Sequence, residues 1–548
     1  SVPNFDEYGR PQEERPLFWG SNLKGSNSHG LGPTFRVLGP WSIGAVRESV
    51  LCSIKDKDIM SKAEQRVQAK GESVHRNLAL DLVETGQDGA SEGRVSRELP
   101  EGITSPMLYS DIVRLAWPSL LELTLTQLTS MVDLMMVGGL GAWAITAVGL
   151  TTQPKFLLMT MFIAMNVGAT AMVARYRGAG EPKKANEILR QALLMTFVLS
   201  LISSIVGYIF SEQMVRFMGA ADAETLAGGT IYLRIQMIGL VPLALTSTFT
   251  ATLRGVGHTR VAMVYNLIAN FVNVIGNYLL IHGHFGFPRL EMAGASLATV
   301  IGQLVAFSIA LRVVLRGDHY LHLRLKEGFK IRWNHMRNII SIGIPAMFEQ
   351  LAMRTGVIVY ARTVASLGTV VYATHQIAMN IQAMSFMTGQ AFAVSATSLV
   401  GQSLGKKRPD MAESYSNHTR RVGMAISLVL AGIFFFFGRQ IVSLYTNDPA
   451  IIDQGARILR LVALVQPFQS SQFILAGALR GAGDTRATMV ITFITVLLVR
   501  PGLALLLINQ FNWGLDGAWI ALVTDQVLRS SLVLLRYNSG KWKKIKIK

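Results

Sequence analysis

The chain has 548 residues, 50% of them hydrophobic and 16% charged, with a mean hydropathy of +0.36. That composition excludes an ordinary soluble globule and fits a polytopic membrane protein. The formal net charge of +18 does not signal nucleic-acid binding, because the basic residues gather between apolar runs, and the single cysteine, Cys52, excludes an intrachain disulfide and a Cys-based metal site.

Residues 1–104 are rich in Gly, Ser, Glu and Arg. They are expected to form a hydrophilic, mostly disordered extension on the cytoplasmic side, with at most a polar helix in "KDKDIMSKAEQRVQAK". No basic start followed by an apolar run marks a signal peptide. The chain opens on Ser1 rather than Met, which suggests a fragment or a processed form. From Ile112 onward, apolar stretches long enough to cross a bilayer as helices recur twelve times. They cover 112–137, 147–173, 186–210, 228–252, 259–282, 293–315, 338–364, 370–400, 417–437, 453–479, 487–509 and 515–536. The connections "RYRGAGEPKK", "LRGVGHTR", "LRGDHYLHLRLKEGFKIRWNHMR", "GKKRPD", "LRGAGDTR" and the tail "KWKKIKIK" are basic. Those on the other side hold only Arg216, Arg289 and Arg439. The positive-inside bias therefore puts both chain ends in the cytoplasm.

The second half of the chain repeats the first at an offset of 227: Pro118 falls on Pro345, Glu122 on Glu349, Gly141 on Gly368, Thr170 on Thr397, Gly178 on Gly405 and Pro182 on Pro409. After one deletion the offset becomes 226, and "LRGVGHTRVAM" matches "LRGAGDTRATM". Both halves start on the same side with six helices each, so they are parallel repeats about an axis along the membrane normal. The expected fold is all-α: twelve transmembrane helices in two pseudo-symmetric six-helix bundles. The N-lobe spans 105–320, a basic cytoplasmic linker 321–337, and the C-lobe with its basic tail 338–548. Two such bundles leave a cleft between them that rocking exposes to alternate sides.

Charges on apolar helices cost about 2.5–3.5 kcal/mol each on insertion scales, so they are candidates for function. Glu349 lies mid-helix, and Glu122 is its counterpart. Arg354 follows Glu349 by five residues and points roughly 140° away, so it pairs with another helix. Arg500 reads the same way, while Lys155 and Arg362 sit where they can snorkel. Glu122, Gln127, His375, Gln376, Asn380 and Gln469 are candidate cleft residues, His375 being able to titrate near neutral pH. Met379, Met384 and Met387 suit an adaptable apolar wall. No G-x-x-x-x-G-K-[ST] occurs, so ATP-driven transport by this chain is not expected.

The duplicated plan, with "LAWPSLLE", "MVDLMMVGGLG", "ATAMVARYRGAGEP", "FTATLRGVGHTR", "GIPAMFEQ", "VASLGTVVYATHQIAMN", "VSATSLVGQSLGKKRP" and "LAGALRGAGDTR", resembles the bacterial branch of the multidrug and toxic compound extrusion (MATE) family over about residues 107–540. The resemblance implies a V-shaped transporter that exchanges organic, often cationic or amphipathic compounds for H⁺ or Na⁺. It implies cation coupling at Asp133 of "VDLMMVG", with Asn273 and Asn277 of "NVIGN" and Thr299 of "GASLAT" completing a possible Na⁺ site. Relatives of that kind carry an acid where Asn277 stands, so this site has one negative charge fewer. In the C-lobe it implies Glu349 as a coupling acid. Gln469 of "QPFQSSQF" stands near the place where some relatives add a second carboxylate.

Glu122 and Asp133 are 11 residues apart, roughly 16 Å along a helix, too far to share one ion. A carboxylate shielded from water takes up a proton more readily, which is one way to couple transport to a gradient. The expected protein is a secondary active multidrug exporter of the cytoplasmic membrane, functional as a monomer, with no cofactor beyond H⁺ or Na⁺ and no enzymatic activity. The alternatives are a lipid-linked oligosaccharide flippase, for which Arg354 and Arg500 would face the cleft, and an intramembrane enzyme. The enzyme reading lacks the clustered Asp residues that Mg²⁺-dependent chemistry needs. A membrane anchor for residues 1–104 would not call for the duplication.

Overall fold

The computed structural model describes residues 104–220, 222–317, 319–324 and 330–545. The expected hydrophilic extension, up to residue 103, lies outside the described residues. Every regular element among them is helical. The first half contains α1 (Ser105–Gly138), α2 (Ala142–Gly178), α3 (Pro182–Ile209), the short α4 (Ser211–Phe217), α5 (Ala223–Ile238), α6 (Leu240–Gly255), α7 (Thr259–His282) and α8 (Glu291–Arg316). The second contains α9 (Trp333–Ala365), α10 (Thr369–Gly405), α11 (Pro409–Ser443), α12 (Pro449–Ala482), α13 (Thr485–Thr492), a π-helical turn Phe493–Val499, α14 (Arg500–Asn509) and α15 (Gly514–Asn538).

Among the described residues, nine helices are apolar and long enough to span a bilayer, counting α13 to α14 as one. The pair α5–α6, bent by 51° at Gly239, makes a tenth. The sequence reads 228–252, within that pair, as one span. It breaks where Gly239 lies close against α8, since a Cβ there would stand 2.6 Å from Val300. The remaining two spans are α9 and α10, of 33 and 37 residues, which match α1 and α2 at 34 and 37. They have the length but are less apolar than the other spans. The chain is thus a multi-pass membrane protein of two six-helix bundles. In each, the second helix starts after a glycine at a positive φ that residues with a Cβ rarely adopt: Gly141 at φ +123° and Gly368 at φ +108°.

We call the end that carries the Arg- and Lys-rich connections the basic end, and the opposite one the far end. At the basic end the two lobes share their cores. Leu108, Ile112, Leu115 and Ala116 of α1 pack among Phe392, Ala396 and Val400 of α10 and Leu475 and Leu479 of α12. Reciprocally, Ile339, Ile342 and Ala346 of α9 pack among Met165, Leu189 and Phe249 of the first lobe. The far halves return to their own lobes, Val137 beside Ala144 and Ile281, and Tyr360 beside Trp519. Pro118 and Pro345 lie inside α1 and α9 near these crossover points. A proline removes one backbone hydrogen bond and permits a bend there. The linker before α9 is strapped onto α3: Gln191 Nε2 donates to the Lys330 carbonyl at 2.8 Å, and Arg332 pairs with Glu187 at 2.7 Å.

Small residues close the basic end. A Cβ on Gly178 would stand 1.9 Å from the Gln402 carbonyl oxygen, and one on Gly405 would stand 2.0 Å from that of Arg175. Ser398 Oγ and Gln402 Nε2 both donate to the Gly255 carbonyl at 3.0 Å, joining α10 to α6 across the lobes. Gly178→Val is expected to force α2 from α10 and to cost about 1–3 kcal/mol, as overpacking does. A lowered melting temperature in detergent is the readout, and a wild-type value would show that the two helices do not meet there.

Candidate functional site

Two kinds of polar site are built into the helices. The first repeats in both lobes. Glu122, 5% exposed, accepts through Oε1 from Arg254 Nη2 at 2.7 Å and from Asn266 Nδ2 at 2.6 Å. Its Oε2 is buried with no hydrogen-bond partner. Glu349, 2% exposed, accepts from Arg480 Nη2 through Oε1 and from Thr488 Oγ1 at 2.8 Å through Oε2. Arg254 and Arg480 are the arginines of the repeated "LRG" segments, related by the same 226 offset. The pairing of acid and arginine is therefore a feature of the duplicated unit. The sequence reading placed these arginines in glycine-rich turns. Their side chains reach back into the bundle, because each follows a helix of its own lobe by its last turn.

Among the described residues, the second kind occurs in the first lobe alone. Helices α1 and α7 run parallel, and their polar residues meet in register at a constant separation of 144. Asn266 bonds Glu122, Asn270 Nδ2 donates to Thr126 Oγ1 at 3.0 Å, and Asn277 Nδ2 donates to Asp133 Oδ1 at 2.7 Å. The Asn273 amide, oriented to suit its neighbours, donates to both oxygens of Asp133 at 2.9 Å and accepts from Thr299 Oγ1 at 3.2 Å. Asp133, Asn273, Asn277 and Thr299, grouped by the sequence reading, are thus brought together. The reading missed Asn266 and Asn270. Their spacing with Asn273 and Asn277, at i, i+4, i+7 and i+11, marks one face of a helix and was the available signal.

The other candidates part ways. Gln127 on α1, and Gln376 and Asn380 on α10, are exposed. Gln376 Nε2 donates to Tyr372 Oη at 2.7 Å. His375 and Gln469, expected at the cleft, lie instead inside the second lobe. The His375 ring is enclosed by Tyr360, Tyr372 and Trp519 at 5.5–6.1 Å between centroids, and Gln469 is 3% exposed with Oε1 unpartnered. The next residue along α10 faces outward because successive helical positions differ by about 100°. Lys155 does not snorkel: its Nζ donates to the buried Gln236 Oε1 at 2.7 Å inside the first lobe. Arg500 is buried in a second-lobe cluster with Asp525 and Arg529, its Nε donating to Asp525 Oδ2 at 3.0 Å. Arg354 does meet another helix. Its guanidinium lies 4.4 Å over the Phe156 ring of α2, at a mostly apolar cavity of about 280 Å³ between the lobes. Gln153, Leu157, Met214, Phe217 and Ile358 also line it. No group of three or more His, Cys, Asp or Glu residues suited to a metal ion occurs among the described residues.

A family model described as MatE matches residues 118–279 and 345–506, together more than half of the chain. The two matches are themselves 227 apart, the period of the repeat. A protein of Thermotoga maritima named probable multidrug resistance protein NorM is 29% identical over 440 residues, covering 80% of this chain and 94% of the relative. The multidrug resistance protein PmpM of Pseudomonas aeruginosa is 29% identical over 448 residues, covering 80% and 93%. Among solved structures, one described as the outward-facing conformation of a multidrug resistance MATE family transporter of the MOP superfamily superposes with a TM-score of 0.74 at 21% identity. It covers 80% of this chain and 97% of that one. With its duplicated architecture and a family match in each half, the chain belongs to the MatE family of membrane transporters.

Proposed function

We propose that this transporter is a secondary active multidrug exporter. It carries organic cations and amphipathic compounds out across the bacterial cytoplasmic membrane in exchange for entering protons, and Asp133 is the exchanging group. Both termini are cytoplasmic, a reading supported by the basic connections at one end. The lobes are packed together at that end, while Gln127, Gln376 and Asn380 are exposed toward the other. This supports a state open to the far side and an alternating-access cycle.

The observation that carries the reading is the ring of groups around Asp133. Asn273 and Asn277 both turn amide nitrogens onto its oxygens. They occupy lone pairs that a metal ion would need, and they supply no second negative charge. A carboxylate so held suits a proton that comes and goes better than a caged Na⁺. Na⁺ remains a second reading for one reason: Asn277 Oδ1 is buried without a partner. Turned inward, it would join oxygens of Asp133, Asn273 and Thr299 around a cation. Glu349 has both oxygens engaged by its own lobe, which suits a fixed clamp better than an exchange site. Of the two cations on which a flippase reading rests, Arg500 is enclosed with Asp525 and Arg529.

Asp133→Asn is expected to abolish rhodamine uptake by everted vesicles under an imposed pH gradient while leaving expression intact. Uptake at the wild-type rate would refute the assignment, and wild-type uptake driven by a Na⁺ gradient alone would select the Na⁺ reading. The clamp is tested separately. Arg480→Met leaves Glu349 buried without its counter-charge and is expected to cost about 3–5 kcal/mol. Adding Glu349→Met should restore most of that loss, as read by melting temperatures in detergent. Equal destabilisation by the single and double variants would show that the pair is not a unit.

A further inference from the structure

Proton exchange at Asp133 raises a problem of depth. Asp133 lies five residues before the end of α1, roughly 8 Å from the far end. Rocking the lobes opens the space between them, but it does not move Asp133 along its own helix. A proton taken up there from the far side still has to reach the basic end. The polar register between α1 and α7 runs in that direction and ends at Glu122, where Asn266 bonds Oε1 and Oε2 has no hydrogen-bond partner.

We propose that the α1–α7 seam is a hydrated proton path from Asp133 to Glu122, with Thr126 and Asn270 as its midpoint. The proposal rests on the proton-exchange reading above and extends it to the exit route. The roles follow from the chemistry of the groups. Amides hold water in place but do not pass protons. The exposed Thr126 hydroxyl, positioned by Asn270 at 3.0 Å, can receive one proton and give up another. Ser130, one turn further along and also exposed, donates to the Thr126 carbonyl at 3.1 Å. In the transfer an O–H bond breaks at Asp133, protons shift along water and Thr126 Oγ1, and an O–H bond forms at Glu122 Oε2. Asp133 ends charged and Glu122 neutral. Arg254 then lacks its counter-charge, which drives the proton onward to water when the lobes part at the basic end. The titratable and charged groups that face this route are Arg254 from α6, Tyr265 from α7 through Thr250, and Tyr232 from α5 beside Asp133.

The second lobe provides an internal comparison. At the repeat offsets, Asp133 is replaced by Tyr360 and Thr126 by Met353, while Asn266, Asn270, Asn273 and Asn277 become Thr492, Val496, Val499 and Leu503. The helices there close up: a Cβ on Gly356 would stand 2.5 Å from the Val496 carbonyl oxygen. Glu349 Oε2, the equivalent of the free oxygen in the first lobe, is taken by Thr488. Both lobes keep the acid and its arginine, and only the first keeps a polar way to reach them.

The test uses the full-length chain in liposomes containing pyranine, with rhodamine 6G as cargo. Thr126→Val is expected to abolish dye-driven proton flux while leaving dye affinity, measured by anisotropy, at the wild-type value. Thr126→Ser, which keeps the hydroxyl, should retain both. Asn270→Leu provides a second block should Thr126→Val fail to fold. Wild-type flux in Thr126→Val or in Asn270→Leu overturns the path. So does a parallel loss of dye binding, or a Thr126→Ser variant that behaves like the valine. If Asp133→Asn loses flux while the seam variants keep it, the path falls and the exchange site stands. Wild-type liposomes without any dye-dependent proton flux would overturn the exchange reading itself.

Discussion

An ionised carboxylate inside a bilayer-spanning bundle needs a counter-charge or several donors, and this need organises both lobes. The architecture meets it first with a clamp: an acid in the middle of the opening helix and an arginine from the last turn of the fourth span. The clamp is present twice, as Glu122–Arg254 and Glu349–Arg480, so it belongs to the unit that was duplicated. A buried pair of this kind gives little net stability but is costly to break. It fixes the opening helix to its own lobe just beyond the proline where that helix crosses over. The second lobe adds a further solution, with Asp525 between Arg500 and Arg529. The first lobe uses amides instead, which stabilise Asp133 without neutralising it.

That difference separates rigid from exchangeable charge. In the second lobe, Asp525 and Glu349 each face guanidinium groups, and protonating either would leave an arginine buried without its partner. In the first lobe, Asp133 faces neutral donors, so gaining a proton strands no opposing ion. On the proposed reading, Asp133 can keep a proton without stranding an ion, whereas an acid that faces a guanidinium, Glu122 included, can hold one only in passing. Inside the first lobe Lys155 is a cation held by a neutral acceptor, the side-chain Oε1 of Gln236.

The repeat and the number of spans were legible in the sequence because each is a regularity along the chain, whereas the group around Asp133 came through the resemblance to the MATE family. Paired residues at one offset give the duplication, and "NVIGN" gives two amides on one helical face. What stayed hidden depends on which helix lies opposite. The "LRG" segments look like turns because their glycines dominate the local pattern, yet their arginines act one layer away. His375 and Gln376 are neighbours in sequence, and only the packing of α15 against α10 through Trp519 decides which of them is enclosed. The break at Gly239 is likewise a matter of how closely α8 approaches.

Helices α9 and α10 are less apolar than the other spans. A helix facing lipid must be apolar, so a spanning helix as polar as these two needs shielding by protein or water. Here α9 lies against α2, with Ile339 reaching the backbone at Gly168, and α10 lies against α2 and α1, with Gln402 at Gly178 and Ser395 donating to the Ile112 carbonyl. Each of these partners belongs to the opposite lobe. When the lobes part, α9 and α10 lose their shields along one edge, and lipid is a poor replacement for residues such as Gln402 and Ser398. Water entering between the lobes is the favourable replacement. The polarity of these two helices therefore biases the opening toward an aqueous cleft rather than a gap in the bilayer, and a cargo moving through it meets polar groups on α10 and the mostly apolar cavity beside Arg354 on α9. An amphipathic molecule can satisfy both surfaces at once, which neither a wholly polar solute nor a hydrocarbon can do.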